Sequence, residues 1–419
     1  MGPRGRIRRS ATRLRTVWLR WACLAAVVGA AAAAIADGDE LATTLAARKG
    51  RTIDVVELGT GKRFVRPVLE DVAVKNGRVV SLRIRPEDQA GPTTVPMTAV
   101  TRIVVDRETV HEAEAKGRGA AQVASKRAKE LYAKQAAESV ERMRQNGTEP
   151  WPSLSAEEHA AAVAELKALV AEVREAFPKL VVSETHEFIV ATDIPPAQMA
   201  PYVAGLDRMY DFLCDLYGIP RGEPVWRGKC LVVAFLDEAD FQAFEARFMK
   251  VQSRGVHGLC HQRSDGVVIT ACHRGDDAPA FAHMLVHETS HGFNHRWMSP
   301  ARLPNWLNEG IAEWVGTKVV PGSDQVALKE AQAAEYMKAR GDVGPGFFTA
   351  DNIAAMQYGI ASGLVRFMAT GDVRKFAAFV RSVKEGTPEE EALRRSFGGS
   401  LDELLAGYGH TIGVSGLKR

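Results

Sequence analysis

No acidic residue occurs in the first twenty positions, which instead carry seven arginines (Arg4, Arg6, Arg8, Arg9, Arg13, Arg15 and Arg20). Setting those seven aside turns the formal charge from +3 to −4. The rest of the chain therefore has no basic excess with which to seek nucleic acid or an anionic membrane. Past the N-terminal segment no apolar run is long enough to span a bilayer, and no internal repeat is present. Gly59-Thr60-Gly61-Lys62 lacks the spacing and the following Ser or Thr of a phosphate loop, and reads as a turn. Cysteine is scarce, with five in 419 residues. Cys23 has no Leu-Ala-Gly type context, which argues against a lipoprotein cleavage site.

What is present has the make-up of an ordinary globular protein: 46% hydrophobic and 25% charged, at a length that suggests two or three domains. The arginines run into the apolar stretch Trp21 to Ala36, closed by Ala34-Ile35-Ala36 before Asp37. Residues 1–36 read as a secretory signal peptide, with an uncleaved membrane anchor as the alternative. Export to a periplasmic or extracellular compartment is expected. That compartment would permit disulfides among Cys214, Cys230, Cys260 and Cys272. Cys260 with Cys272 across a hairpin at Ser264-Asp265-Gly266, leaving Cys214 with Cys230, is one expectation. Four buried thiols is the other.

Residues 45–108 alternate as short strands, among them Ile53 to Val56, Val72 to Val74, Val79 to Leu82 and Val100 to Val105, with a hairpin signal at Asn76-Gly77. Their number and spacing predict a small β-barrel that resembles an SH3-like barrel. Residues 109–177 predict a helical linker. It holds a charge-laden helix from His111 to Gln145 and a second from Ser155 to Phe177, opened by a Ser155 to Glu158 capping pattern. Beyond lie strands at Lys179 to Ser183, Glu187 to Ala191, Cys230 to Leu236 and Gly266 to Thr270, a helix from Ala197 to Tyr217, and a helix starting near Pro279. Everything after Pro304 reads as helix, broken near Gly322, Gly341 to Gly346, Gly371 and Gly398. The fold class expected for residues 178–415 is α+β: a mixed sheet, one special helix and a helical lobe.

That special helix carries His287-Glu288-Thr289-Ser290-His291. Imidazoles four residues apart share one helical face, so both can reach one tetrahedral zinc ion while Glu288 meets a water on it. A third ligand is required. The metzincin choice fails, because position 297 is Trp297 and Gly292 is not where that family's glycine falls. With seventeen residues intervening after His291 stands Glu309, within Pro304-Asn305-Trp306-Leu307-Asn308-Glu309-Gly310-Ile311-Ala312-Glu313. Glu309 and Glu313 lie one turn apart on a helix face.

His287 to His291 followed by Asn308 to Glu313 resembles the gluzincin pattern of thermolysin-like and aminopeptidase-like enzymes. The Pro-x-Trp-Leu-x-Glu-Gly-x-Ala-Glu run is similar to bacterial peptidase MA-like domains. The likeness covers residues 180–415. It implies a zincin-like fold, one zinc ion held by His287, His291 and Glu309, and Glu288 as general base in peptide-bond hydrolysis. It also implies Glu313 accepting a hydrogen bond from His287, Asn308 supporting the packing at the site, and a tyrosine that stabilises the oxyanion. Tyr358 is the best match to that tyrosine, with plain helix packing as the alternative. The Gly-x-Met-Glu-Asn motif that holds a free amino terminus is absent, so exopeptidase action is unsupported.

A peptide or protein substrate is expected, with the strand Gly266 to Thr270 able to pair with it. The competing readings are a catalytically idle zinc-binding module and a hydrolase of a non-peptide amide. His257, His261, His273, His283 and His295 read as packing or surface residues, with His273 the one of these placed to approach substrate.

Overall fold

A computed structural model of the chain describes residues 36–58, 63–75, 78–86, 91–106, 108–112, 126–220, 222–320 and 322–419. The expected signal segment, apart from Ala36, and the turns Asn76-Gly77 and Gly59 to Lys62 lie outside the described residues. The chain is mixed α+β and divides into two units. The smaller comprises the described residues up to Glu138 with Gly218–Glu223, and the larger comprises Ser139–Tyr217 and Pro224–Arg419.

In the smaller unit, helix α1 (Ala36–Ala46) precedes eight strands: β1 (Arg51–Thr52), β2 (Val55–Leu58), β3 (Arg63–Val65), β4 (Val68–Lys75), β5 (Arg78–Arg85), β6 (Thr93–Pro96), β7 (Val100–Val105) and β8 (Glu108–Glu112). The expected barrel does not close. The strands form two four-stranded sheets, ordered β1-β4-β5-β6 and β3-β2-β7-β8. Both contribute to one core, in which Leu69, Leu82 and Ile84 meet Val56, Val100 and Ile103, together with Leu41 and Leu45 of α1. Period-2 apolar patterning fixes which face of a strand is buried and leaves open whether two sheets join edge to edge. β8 also extends to Glu112, where a helix had been expected from His111. The helix, α2, runs Lys126–Gln145.

The larger unit is built on a five-stranded sheet: β9 (Val181–Glu184), β10 (Phe188–Thr192), β11 (Cys230–Phe235), β12 (Gly258–Gln262) and β13 (Val268–His273), in the order β12-β13-β11-β10-β9. β10, β11 and β13 run parallel, and both edges are antiparallel. The central strand Cys-Leu-Val-Val-Ala-Phe is buried along its whole length, as a parallel strand covered on both faces must be. One face packs Ile189, Leu231, Val233, Ile269 and Ala271 against Leu166, Val170 and Val173 of helix α3 (Ala156–Ala176) and Phe241 and Phe244 of helix α5 (Glu238–Phe244). The expected capping box of α3 is formed, Ser155 and Glu158 each bonding the other's backbone N–H.

The opposite face carries helix α4 (Pro196–Tyr217) and helix α6 (Ala278–Arg296). Phe188 stands edge-on to Tyr210 of α4, and Tyr210 in turn to Phe293 of α6. α6 is opened by Asp277, whose carboxylate accepts from Ala280 N–H, with a proline in the first turn. It lies tightly on the sheet: a Cβ on Gly292 would fall 2.4 Å from Val268 Cγ1.

After it come α7 (Asn305–Val319), α8 (Gln325–Arg340), α9 (Gln357–Gly371), α10 (Val373–Lys384), α11 (Glu389–Phe397) and α12 (Leu401–Thr411). The turn between α6 and α7 is bound by Lys384, a fully buried lysine whose ammonium donates to the carbonyls of His295, Ser299 and Ala301. Burial, aided by Arg296, lowers its pKa to about 7. No helix among the described residues is long and apolar enough to cross a membrane.

No disulfide joins the described cysteines Cys214, Cys230, Cys260 and Cys272. The expected bridge between Cys260 and Cys272 is offset by two ladder positions, because Cys260 pairs with Thr270 and Cys272 with Gly258.

α7 and α9 touch at Gly310, where a Cβ would lie 2.5 Å from the carbonyl oxygen of Ala361. Alanine in a helix interior is intrinsically favoured over glycine by about 1 kcal/mol, so any loss isolates the clash. Gly310→Ala is expected to destabilise by about 1–3 kcal/mol, read as a fall of several degrees in the melting temperature of the metal-free protein. An unchanged melting temperature would refute the close helix contact.

Candidate metal centre

α6 places His287 and His291 one turn apart, their rings 4.7 Å between centroids and nearly perpendicular. α7 crosses them and brings in Glu309. The three facing atoms form an almost equilateral triangle: His287 Nε2 to His291 Nε2 3.1 Å, His287 Nε2 to Glu309 Oε2 3.2 Å, and His291 Nε2 to Glu309 Oε2 3.3 Å. A tetrahedral zinc ion with bonds of about 2.0–2.1 Å has ligand-to-ligand edges of about 3.3–3.4 Å. The residues present therefore fit that ion and leave its fourth position open. Glu309 Oε2 is buried and makes no well-aligned hydrogen bond, although burying a carboxylate oxygen unpaired is costly. Two buried imidazole nitrogens facing each other at this distance likewise require a proton or a cation between them.

The electrostatics respond accordingly. Burial raises the Glu309 carboxyl, and the two imidazoles outweigh that and hold it well below the carboxylate range. Burial lowers His291, while Glu309 and Glu288 outweigh it and carry the imidazole to about 9. Glu288 is raised by burial, against the pull of both histidines and of the Cys260 N–H that its carboxylate accepts. Tyr358 stacks with its ring centroid 6.5 Å from that of His287, and Lys329 Nζ lies 5.7 Å from the tyrosine ring. Burial, followed by the carboxylates of Glu309, Glu288 and Glu313, moves its phenol to about 12. It thus keeps its proton at neutral pH.

Supporting groups differ in part from those expected. Glu313 Oε2 lies 3.1 Å from Nε2 of His283, whereas His287 Nδ1 is 3.8 Å from Glu313 Oε1, beyond hydrogen-bond length. The expected bond from His287 is therefore replaced by one from His283, a residue read as packing or surface. Lys329 bonds the other oxygen of Glu313. Asn308 accepts from Asn294 Nδ2 at 3.5 Å, and Asn294 accepts from the Tyr217 hydroxyl at 2.9 Å. Asn305 was not singled out in the sequence. It donates to Glu309 Oε1 at 3.4 Å and is itself anchored by Ile353 N–H at 2.8 Å. Its signal was the spacing Asn305 to Glu309, one helical turn.

A cavity of about 1060 Å³ opens at His291 and runs between β12 and the segments carrying Asn305, Phe348 and Glu389. His261 and His295 line it. His273, expected to approach substrate, does not; it is buried against His257 and Phe241, at 4.9 and 5.5 Å between ring centroids. The strand expected to pair with a peptide is also displaced. β13 has β12 on one side and β11 on the other, so the edge beside the centre is β12.

Glu389, at the far wall, accepts from Trp306 Nε1 at 2.7 Å. Burial raises its carboxyl from the ordinary 4.5 to about 7. A raised acid binds its proton more tightly folded than unfolded, so ionisation opposes folding increasingly from pH 4.5 up to about 7 and by a constant amount above. Glu389→Gln keeps the acceptor for Trp306. It is expected to melt higher than the parent at pH 8, with the difference vanishing below about pH 4.5. A difference independent of pH would exclude the raised carboxyl.

No protein-family model matches the chain, and no curated protein matches it.

Proposed function

We propose that the larger unit is a zinc metallopeptidase of the gluzincin type, with a zincin-like fold, acting on a peptide or protein substrate. The observation that carries this reading is the ligand triangle of His287, His291 and Glu309 at 3.1–3.3 Å, with a glutamate adjoining the first histidine. When bound, zinc would supply a Lewis acid and acidify a water on its open position. Glu288, with its carboxyl raised by burial, takes the proton of the attacking water and returns it to the leaving amine. Tyr358, protonated at neutral pH, donates to the oxygen that gains charge. The arginine-rich and then alanine-rich residues up to Ala36 add export to the proposal.

β12 is proposed to hold the substrate in extended form. His257 C=O accepts from His273 N–H, and Arg263 N–H donates to Val267 C=O. The odd-numbered residues therefore face β13, and the backbone groups of the even-numbered ones turn outward, since antiparallel partners alternate. The Cys260 N–H is taken by Glu288, which leaves the groups of Gly258 and Gln262 and the Cys260 carbonyl for a peptide. A peptide adding to this edge would lie along the cavity that begins at His291.

Glu288→Gln tests the reading. It is expected to bind one zinc ion as the parent does and to cleave a peptide library about 10²–10⁴-fold more slowly, while Glu309→Ala loses the metal. Equal cleavage by parent and Glu288→Gln, or a zinc-loaded parent that cleaves nothing, would reject the peptidase. The second outcome would leave a zinc-binding module or a hydrolase of another amide.

A further inference from the structure

His283, His287 and His291 recur every four residues along α6 and so share one face. Glu309 and Glu313 stand one turn apart on α7. The two rows interleave: beyond the ligand triangle, Glu313 lies between His287 and His283. Glu313 is 1% exposed, so both its oxygens need partners. Oε2 faces His283 Nε2 at 3.1 Å, and Oε1 receives the Lys329 ammonium and faces His287 Nδ1 at 3.8 Å.

The His283 ring sits in a slot that exists because residue 316 is glycine. A Cβ there would fall 2.2 Å from its Cε1 and 2.4 Å from its Nδ1. His283 Nδ1 is buried without a hydrogen-bond partner. Nε2, 3.1 Å from Glu313 Oε2, is therefore the ring nitrogen whose N–H the carboxylate accepts.

We propose that His283 is a positioning residue for the metal centre, a reading that rests on the metal site proposed above. By occupying Glu313 Oε2 it keeps Oε1 turned toward His287 Nδ1. At 3.8 Å that approach is an electrostatic attraction, not a hydrogen bond; it draws Nδ1 toward Glu313 and so aims His287 Nε2 at the point shared with His291 and Glu309. A carboxylate beside a ligand imidazole favours one tautomer and ring direction; here Glu313 acts on His287 through charge alone and is itself held by a third histidine. His283, His287 and Glu313 could themselves offer ligand atoms to a cation. The Lys329 ammonium already occupies Glu313 Oε1, so an ion there would meet a charge of its own sign, and the group serves the first site instead.

Zinc affinity of the full chain, measured by competition with a chromophoric chelator, tests this independently of any activity. His283→Ala and His283→Phe are expected to bind zinc about 10–100-fold more weakly than the parent. His283→Gln, whose amide can donate to Glu313, should recover most of the loss. Gly316→Ala, which pushes the ring out of its slot, should weaken zinc binding in the parent and add little in the His283→Ala background, since both act through one contact. Parent-like affinity in His283→Phe would overturn the proposal, as would a glutamine variant no better than phenylalanine, or two zinc ions per parent chain. Should a His283 variant not fold, Gly316→Ala in the parent still decides: unchanged affinity overturns the proposal. A parent that binds no zinc rejects the metal site itself, an outcome separate from all of these.

Discussion

Three lone-pair donors converging within 3.3 Å inside a protein repel one another unless positive charge lies between them. The centre of the larger unit is arranged around that demand. Without an ion it is met by a proton, and His291 accordingly holds its proton to about pH 9. On the proposed reading zinc would displace that proton, and its uptake would release it. The surrounding groups address the same problem at one remove. Asn305 steadies the second oxygen of Glu309, and Lys329 offsets the charge of Glu313.

Such convergence needs helices closer than ordinary side chains permit. Gly292 lets α6 lie against Val268 of the sheet, Gly310 lets α7 lie against α9, and Gly316 admits the ring of His283. Each lies on a ligand-bearing helix within eight residues of a ligand, so the spacing between helices is written into the same short segments as the chemistry. The sheet adds the other wall. Gly258 of β12 is so near that a Cβ would stand 3.3 Å from Glu288 Cγ.

Local periodicity made much of this legible. Histidines four apart announced a shared face, Ser155 and Glu158 announced a helix start, and the unbroken apolar run of β11 announced a strand covered on both sides. What failed was long-range. Strand patterning gives a buried face but no neighbours, so it shows neither that β13 lies inside its sheet nor that the smaller unit holds two sheets instead of a closed barrel. The proposed Cys260 to Cys272 bridge failed for the related reason that hairpin register is set by the turn. The five histidines outside the motif look alike as letters, and only the approach of α7 sets His283 apart. Lys329, sixteen residues from Glu313 and on another helix, left no periodic trace.

Lys384 joins the carbonyl of His295, at the end of α6, to those of Ser299 and Ala301 in the turn that leads to α7. A flexible turn would let the pair swing apart and would charge each arriving ion with the entropy of reuniting them. Clamped from within, the two arms keep the spacing that is set when the polypeptide folds. On the proposed metal reading an ion would meet donors already placed for it, so that size as well as donor type would govern which cation binds.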